Sequence, residues 1–171
     1  MDKFLETVNY LKEKVQNIPE IAIILGSGLG SLSDDVTNKQ VIPYKDIPNF
    51  PVSTVAGHKG ELIFGEIENV PVILMNGRFH YYEGYDLKET TYPIRIFKLL
   101  GVKTLILTNA AGGINTSFQK GDLMIINDQL SFFAESVLRG PNLDEFGDRF
   151  IDMSNTYDKE YVEKLKVIMQ N

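Results

Sequence analysis

Arg78 and His80 stand two residues apart in Gly77-Arg78-Phe79-His80-Tyr81-Tyr82-Glu83-Gly84-Tyr85, just beyond an apolar run. In an extended segment that spacing turns both side chains to one face. A guanidinium offers a fixed fork of donors suited to phosphate, and a protonated imidazole adds another. Glu83 can orient either cation. Tyr82 and Tyr85 offer flat walls with a hydroxyl at the tip, which suits a sugar. The same residues would also make an ordinary Arg–Glu surface pair with aromatic packing. The histidines weigh against that: His58 and His80 are the chain's two, and neither lies within an apolar run. His58 falls in the glycine-flanked loop Ala56-Gly57-His58-Lys59-Gly60, where a solvated residue is an equally good reading.

Two further stretches have anion-holding chemistry. In Leu25-Gly26-Ser27-Gly28-Leu29-Gly30-Ser31 the glycines permit a tight turn straight after an apolar strand. Their amides can approach an oxyanion, and Ser27 adds a hydroxyl donor. A plain strand-to-helix turn explains the same residues equally well. The dinucleotide fingerprint G-x-G-x-x-G fails at Ser31, where its third glycine belongs, and no Gly-Lys-Ser/Thr follows to make a P-loop. In Thr108-Asn109-Ala110-Ala111-Gly112-Gly113 every side chain after Asn109 is tiny, so a ligand can lie against the backbone and the Ala110 amide can serve as a donor. Close strand–helix packing would ask for the same small residues.

The elements that must position these groups follow from periodicity. Phe4, Leu5, Val8, Leu11 and Val15 recur at helical spacing and predict a helix over 2–16, ended by the segment before Pro19. Ile21-Ala22-Ile23-Ile24-Leu25 reads as a strand buried on both faces. Further strands are expected over 61–66, 70–75, 103–108 and 122–126. A helix is expected over 93–100, with Pro93 in its first turn and Gly101 past its end. The interleaving predicts one α/β domain over residues 1–171, with a central, mostly parallel or mixed sheet flanked by helices. The three prolines within 41–51 predict a loop, as does the aperiodic stretch 132–155. A last helix begins near Asp158 with Tyr161, Val162, Leu165, Val167 and Ile168 on its apolar side, and its pattern is still running at Asn171. The expectation is a chain that is C-terminally incomplete.

Composition narrows the function classes. With 171 residues, a hydrophobic fraction of 43% and a charged fraction of 23%, the chain has the make-up of a soluble globular domain. A net charge of −6 with no Lys/Arg cluster argues against nucleic acid or an acidic membrane surface as partner. A small anionic substrate stays compatible, because a local cluster can reverse the field of the whole chain. The lack of cysteine excludes disulfide and thiol chemistry. The N-terminus carries no apolar signal core, and no apolar run is long enough to cross a bilayer, so a cytoplasmic location is expected.

Taken together, the motifs resemble those of the trimeric purine nucleoside phosphorylases. The resemblance runs along nearly the whole chain. It includes the glycine stretch from Ile24, Thr54-Val55-Ala56-Gly57-His58, the segment 77–85, Leu107-Thr108-Asn109-Ala110-Ala111-Gly112-Gly113, and Leu138-Arg139-Gly140-Pro141-Asn142 with Phe146-Gly147-Asp148-Arg149-Phe150. Asn109-Ala110-Ala111 is similar to the purine enzymes rather than to the related methylthioadenosine phosphorylases. The resemblance implies that Ser27, Arg78, His80 and the Ala110 backbone bind phosphate. It places His58 beside that phosphate and Glu83 in support, with Arg78, His80 and Glu83 as the catalytic cluster. Tyr82, Asn109 and Phe150 would face the ribose and base, Phe150 from a neighbouring subunit of a homotrimer. The implied reaction is phosphorolysis of a purine nucleoside to free base and ribose 1-phosphate, with phosphate as co-substrate and no cofactor or metal. In the family the base-contacting acid and amide, a further phosphate-binding serine and a histidine at the ribose 5′-hydroxyl lie C-terminal to the part resembled here. The chain by itself is therefore expected to be weakly active or inactive. Two other readings stand beside this one: an inactive anion-binding or oligomerisation module of the same fold, and a dinucleotide-dependent oxidoreductase resting on the glycine run and Asp46.

Overall fold

The computed structural model describes residues 1–52, 59–132 and 135–169. The chain divides into two compact units, Met1–Ala110 and Ala111–Asn171.

The first unit is built on five strands: β1 (Ile21–Leu25), β2 (Thr37–Pro43), β3 (Glu61–Ile67), β4 (Val70–Asn76) and β5 (Thr104–Leu107). Their order is β2-β3-β4-β1-β5. β4, β1 and β5 run parallel, while β2, β3 and β4 form an antiparallel meander. The sheet is thus mixed, as expected. The β3–β4 turn is tight because Glu68 and Asn69 both take positive φ, the conformation that two-residue hairpin loops favour.

Helices α1 (Asp2–Lys14), α2 (Leu87–Thr90) and α3 (Tyr92–Leu100) complete the unit. α1 buries Thr7, Val8 and Leu11, and α3 buries Pro93, Ile96, Phe97 and Leu100. Of these, Val8, Leu11, Ile96, Phe97 and Leu100 join Ala22, Ile24, Leu62, Phe64, Ile73 and Met75 of the sheet in one core. The buried Thr7 hydroxyl donates to the Pro48 carbonyl at 2.6 Å and lies 2.8 Å from the Tyr92 hydroxyl. One small polar group thereby ties α1 to α3 and to the loop before Phe50. α3 carries Pro93 in its first turn and stops at Gly101 in the left-handed region, as its sequence predicts.

Two expectations are corrected. Residues 41–51 are not all loop: β2 extends to Pro43 and a short 3₁₀ turn follows at Tyr44–Asp46. Proline is tolerated there because β2 is an edge strand with one partner. The strand expected over 122–126 does not form. An extended segment without a partner leaves its backbone groups unpaired, and none of the described ladders involves these residues.

The second unit has little regular structure. It holds a 3₁₀ turn at Asp144–Phe146 and helix α4 (Lys159–Met169). Asp158 caps α4, its Oδ1 accepting from the Glu160 and Tyr161 amides at 2.9 and 3.1 Å. Arg149 donates to the Leu138 and Gly140 carbonyls at 2.8 and 2.6 Å, closing the Arg139-Gly140-Pro141 loop. The apolar side of α4 stays open: Leu165, Val167 and Ile168 are all exposed. No helix among the described residues is long and apolar enough to cross a membrane.

Candidate functional site

The parallel strands β4, β1 and β5 deliver three chain segments to one edge of the sheet. Leu25 ends β1 beside Asn76, the last residue of β4. On the other flank Ile24 pairs with Leu107, the last residue of β5. Residues 26–30, 77–80 and 108–110 therefore emerge together at the strands' carboxyl ends, where open α/β sheets hold ligands.

Thr108 ties these segments to one another. Its hydroxyl donates to the Ile24 carbonyl at 2.9 Å and accepts from the Gly26 amide at 2.8 Å. Its carbonyl accepts from Arg78 Nη1 at 3.2 Å. The guanidinium is thus anchored against the end of β5, next to the turn that carries Ser27. The glycines prove to do different jobs. A Cβ on Gly26 would stand 2.7 Å from both Asn109 Cα and the Thr108 carbonyl, so Gly26 is required by the close approach of two backbones. Its amide is taken up by Thr108, which withdraws it from the donors offered to an anion. Gly28 has open space but a φ of +87°, which only glycine adopts without strain. The turn leads into a 3₁₀ turn at Gly30–Asp34 rather than an α-helix.

A shallow, open cleft lies over this turn, lined by residues 25–28 and 30, Asn76 and Gly77. Ser27 lines it and is exposed; Arg78, His80 and Ala110 are not among its lining residues. Arg78 follows directly on Gly77 and reaches Thr108 beside the cleft. Gly77 has a φ of 119°, which turns the chain out of β4.

Beyond the turn, burial alternates. Phe79 is buried, whereas Arg78 and His80 on either side are partly open, as the two-residue spacing predicts. Phe79 packs at 5.2 Å from Tyr44, 5.8 Å from Phe50 and 5.9 Å from Tyr85, measured between ring centres. This aromatic cluster fixes the face that Arg78 and His80 share. Tyr44 also donates its hydroxyl to the Gly77 carbonyl at 2.7 Å. Burial, and secondarily the Glu61 carboxylate, hold the Tyr44 phenol well above its ordinary pKa. Tyr85 donates to the Val52 carbonyl.

Glu83 grips His80 at two points: Oε1 accepts from the His80 amide at 2.9 Å and meets Nδ1 at 2.7 Å. A carboxylate accepts only, so Nδ1 carries the hydrogen. The ring then presents Nε2 as its second nitrogen, a donor when the imidazole is protonated. Only 2% of the Glu83 side chain is exposed, and Gly84 in the left-handed region ends the short turn behind it. Tyr82 stacks on His80 at 4.7 Å with its own outer face open. Asn109 and Ala110 are exposed at the tip of the β5 segment. Phe150 belongs to the second unit and is 89% exposed. His58 lies outside the described residues.

Sequence reasoning passed over Thr108, Asn76, Glu61 and Tyr44 as site-builders. Thr108 stood inside a motif already singled out, and a hydroxyl at the last turn of a strand before tiny residues was the available signal. The link from Tyr44 to Gly77 spans 33 residues and leaves no local pattern.

A family model described as the phosphorylase superfamily matches residues 20–169. Purine nucleoside phosphorylase 1 of Bacillus subtilis is 52% identical over 159 residues, covering 93% of this chain and 59% of that protein. The bovine purine nucleoside phosphorylase is 46% identical over 166 residues, covering 95% and 57%. Among solved structures, isoform 2 of the Schistosoma mansoni enzyme, in complex with cytosine and ribose-1-phosphate, superposes with a TM-score of 0.90 at 44% identity. That match covers 99% of this chain and 61% of the other. The chain spans a little under three fifths of the length of these two sequence relatives.

Proposed function

The chain belongs to the phosphorylase superfamily, and on that premise we propose that it carries the phosphate-binding half of a purine nucleoside phosphorylase. The observation that carries this is the convergence on Thr108: one residue holds the Ser27 turn through its hydroxyl and the Arg78 guanidinium through its carbonyl. Phosphate would sit over the cleft, taking donors from Ser27, Arg78, protonated His80 and the Ala110 amide. His58 would approach from its glycine-flanked loop. Tyr82, on the open side of His80, would contact the ribose, with Asn109 towards the base.

Breaking an N-glycosidic bond builds oxocarbenium character on the sugar. A phosphate held beneath that sugar supplies both the nucleophile and the compensating negative charge. The new bond joins a phosphate oxygen to the anomeric carbon, and the purine leaves with the electron pair of the broken bond. The protein's share is then positioning and electrostatic stabilisation. Arg78 and His80 orient the anion, and Glu83 keeps the His80 ring in place. The reaction so written calls for no resident cofactor, since phosphate is a co-substrate. The proposal includes a homotrimer in the cytoplasm. The 89% exposure of Phe150 supports the first, because a residue so open is available to a neighbouring subunit. The lack of cysteine agrees with the second.

A second reading, phosphate binding without turnover, is favoured by the coverage of 59% and 57% of the relatives. Incubating the purified chain with inosine and phosphate and following base release separates the two. Turnover supports the full activity. Saturable phosphate binding with no base release supports the second reading, and no phosphate binding rejects both.

A further inference from the structure

We infer that Asn76 makes this cleft select an oxyanion that carries a proton, and so phosphate over sulfate; the inference rests on the phosphate-site reading above. Asn76 ends β4 on the floor of the cleft and is 4% exposed. Directly across the β3–β4 ladder stands Glu61. Asn76 Nδ2 donates to Glu61 Oε1 at 3.0 Å. An ionised carboxylate accepts and cannot donate, so the amide nitrogen must face it. The amide oxygen is thereby turned away from Glu61. It lies on the side of the glycine turn, 3.4 Å from where a Cβ on Gly30 would stand. Among the described hydrogen bonds it accepts none.

This is an acceptor on a residue that lines a cleft otherwise equipped with donors. Facing an anion without hydrogens, it adds repulsion and stays unsatisfied. Facing an anion that carries one, it accepts that hydrogen. Phosphate keeps at least one proton near neutral pH, and sulfate keeps none. The two ions are tetrahedral and nearly equal in size, so Ser27 and Arg78 serve them alike. Asn76 is the group that tells them apart, and Glu61 is the positioning residue that fixes which end of the amide the ligand meets. Discrimination of this kind is strong because it leaves a polar group unpaired in the wrong complex.

The test is calorimetric titration of the 171-residue chain with inorganic phosphate and, separately, sodium sulfate, at neutral pH and constant ionic strength. Phosphate is expected to bind at least about tenfold more tightly than sulfate. Asn76→Ala removes the acceptor. Glu61→Gln, which is nearly isosteric, lets the amide reverse and turn its NH₂ into the cleft. Both substitutions should bring the two affinities together by a gain in sulfate binding, which partial unfolding cannot produce. Equal binding of the two ions by the unsubstituted chain overturns the inference and leaves the phosphate site standing. So does discrimination that persists in Glu61→Gln and in Asn76→Ala. Failure of the unsubstituted chain to bind either ion overturns the phosphate-site reading itself.

Discussion

Arg78 carries the largest share of the charge complementarity expected at the site. Its guanidinium is held at the Thr108 carbonyl through Nη1. Arg78→Ala should weaken phosphate binding by about 1.5–3 kcal/mol, the usual worth of a charge-assisted hydrogen bond, with little change in the unfolding midpoint. Calorimetric titration beside a urea melt checks both halves, and unchanged phosphate affinity would reject the assigned role. Tyr44 is the structural counterpart. Its hydroxyl is buried and donates to Gly77, so Tyr44→Phe should cost about 1 kcal/mol near neutrality. The pH dependence has a definite sign. An unfolded tyrosine ionises near pH ~10, and the folded phenol is held above that by burial and then by Glu61. Below pH ~10 the group is neutral in both states and its stability contribution is fully present. Above it the unfolded chain loses the proton first, and stability falls as pH rises towards the folded value. Tyr44→Phe should flatten that alkaline loss, a change that urea melts across the alkaline range would show. An unaltered slope would place the loss elsewhere.

At the scale of elements, the parallel strands matter because they end level with one another. Gly26 sits just past β1, against the segment that leaves β5, and an added methyl would lie 2.7 Å from backbone atoms of that segment. Gly26→Ala should therefore destabilise the unit by about 1–3 kcal/mol through overpacking. Gly28→Ala should cost about 1 kcal/mol, from its left-handed backbone alone. Chemical denaturation ranks the two, and a reversed order would contradict the division of labour between these glycines. The elements that were legible in sequence are those with an undivided apolar signal. Ile21-Ala22-Ile23-Ile24-Leu25 matches β1 residue for residue, and the proline and glycine bounding α3 fall where its ends lie. β2 was illegible because Thr37-Asn38-Lys39-Gln40 is polar and exposed, and the strand is held by its ladder to β3 rather than by an apolar pattern of its own. The segment 122–126 shows the converse, an apolar pattern for which no described ladder supplies a partner. Within the site, the shared face of Arg78 and His80 followed from period-two spacing. The pinning of that face by Tyr44, Phe50 and Thr108 depends on contacts between distant segments, which spacing does not encode.

Over the whole molecule, the net charge of −6 means that the anion must be gathered by a local cluster against the general field. Binding should therefore stabilise the fold in a concentration-dependent way, by about 2.7 kcal/mol when phosphate reaches 100 times its dissociation constant. A midpoint that rises with phosphate in unsubstituted protein and stays flat in Arg78→Ala would agree; a rise of equal size in both would show a general salt effect. In the second unit Leu165, Val167 and Ile168 of α4 and Phe150 are exposed. On the proposed reading, Ser27 and Arg78 close on one phosphate over the Thr108 junction. Diffraction from crystals of this chain soaked in phosphate tests it most directly. Tetrahedral density is expected within hydrogen-bonding reach of both Ser27 Oγ and the Arg78 guanidinium. An empty cleft at saturating phosphate, or density bound away from these two side chains, would contradict it.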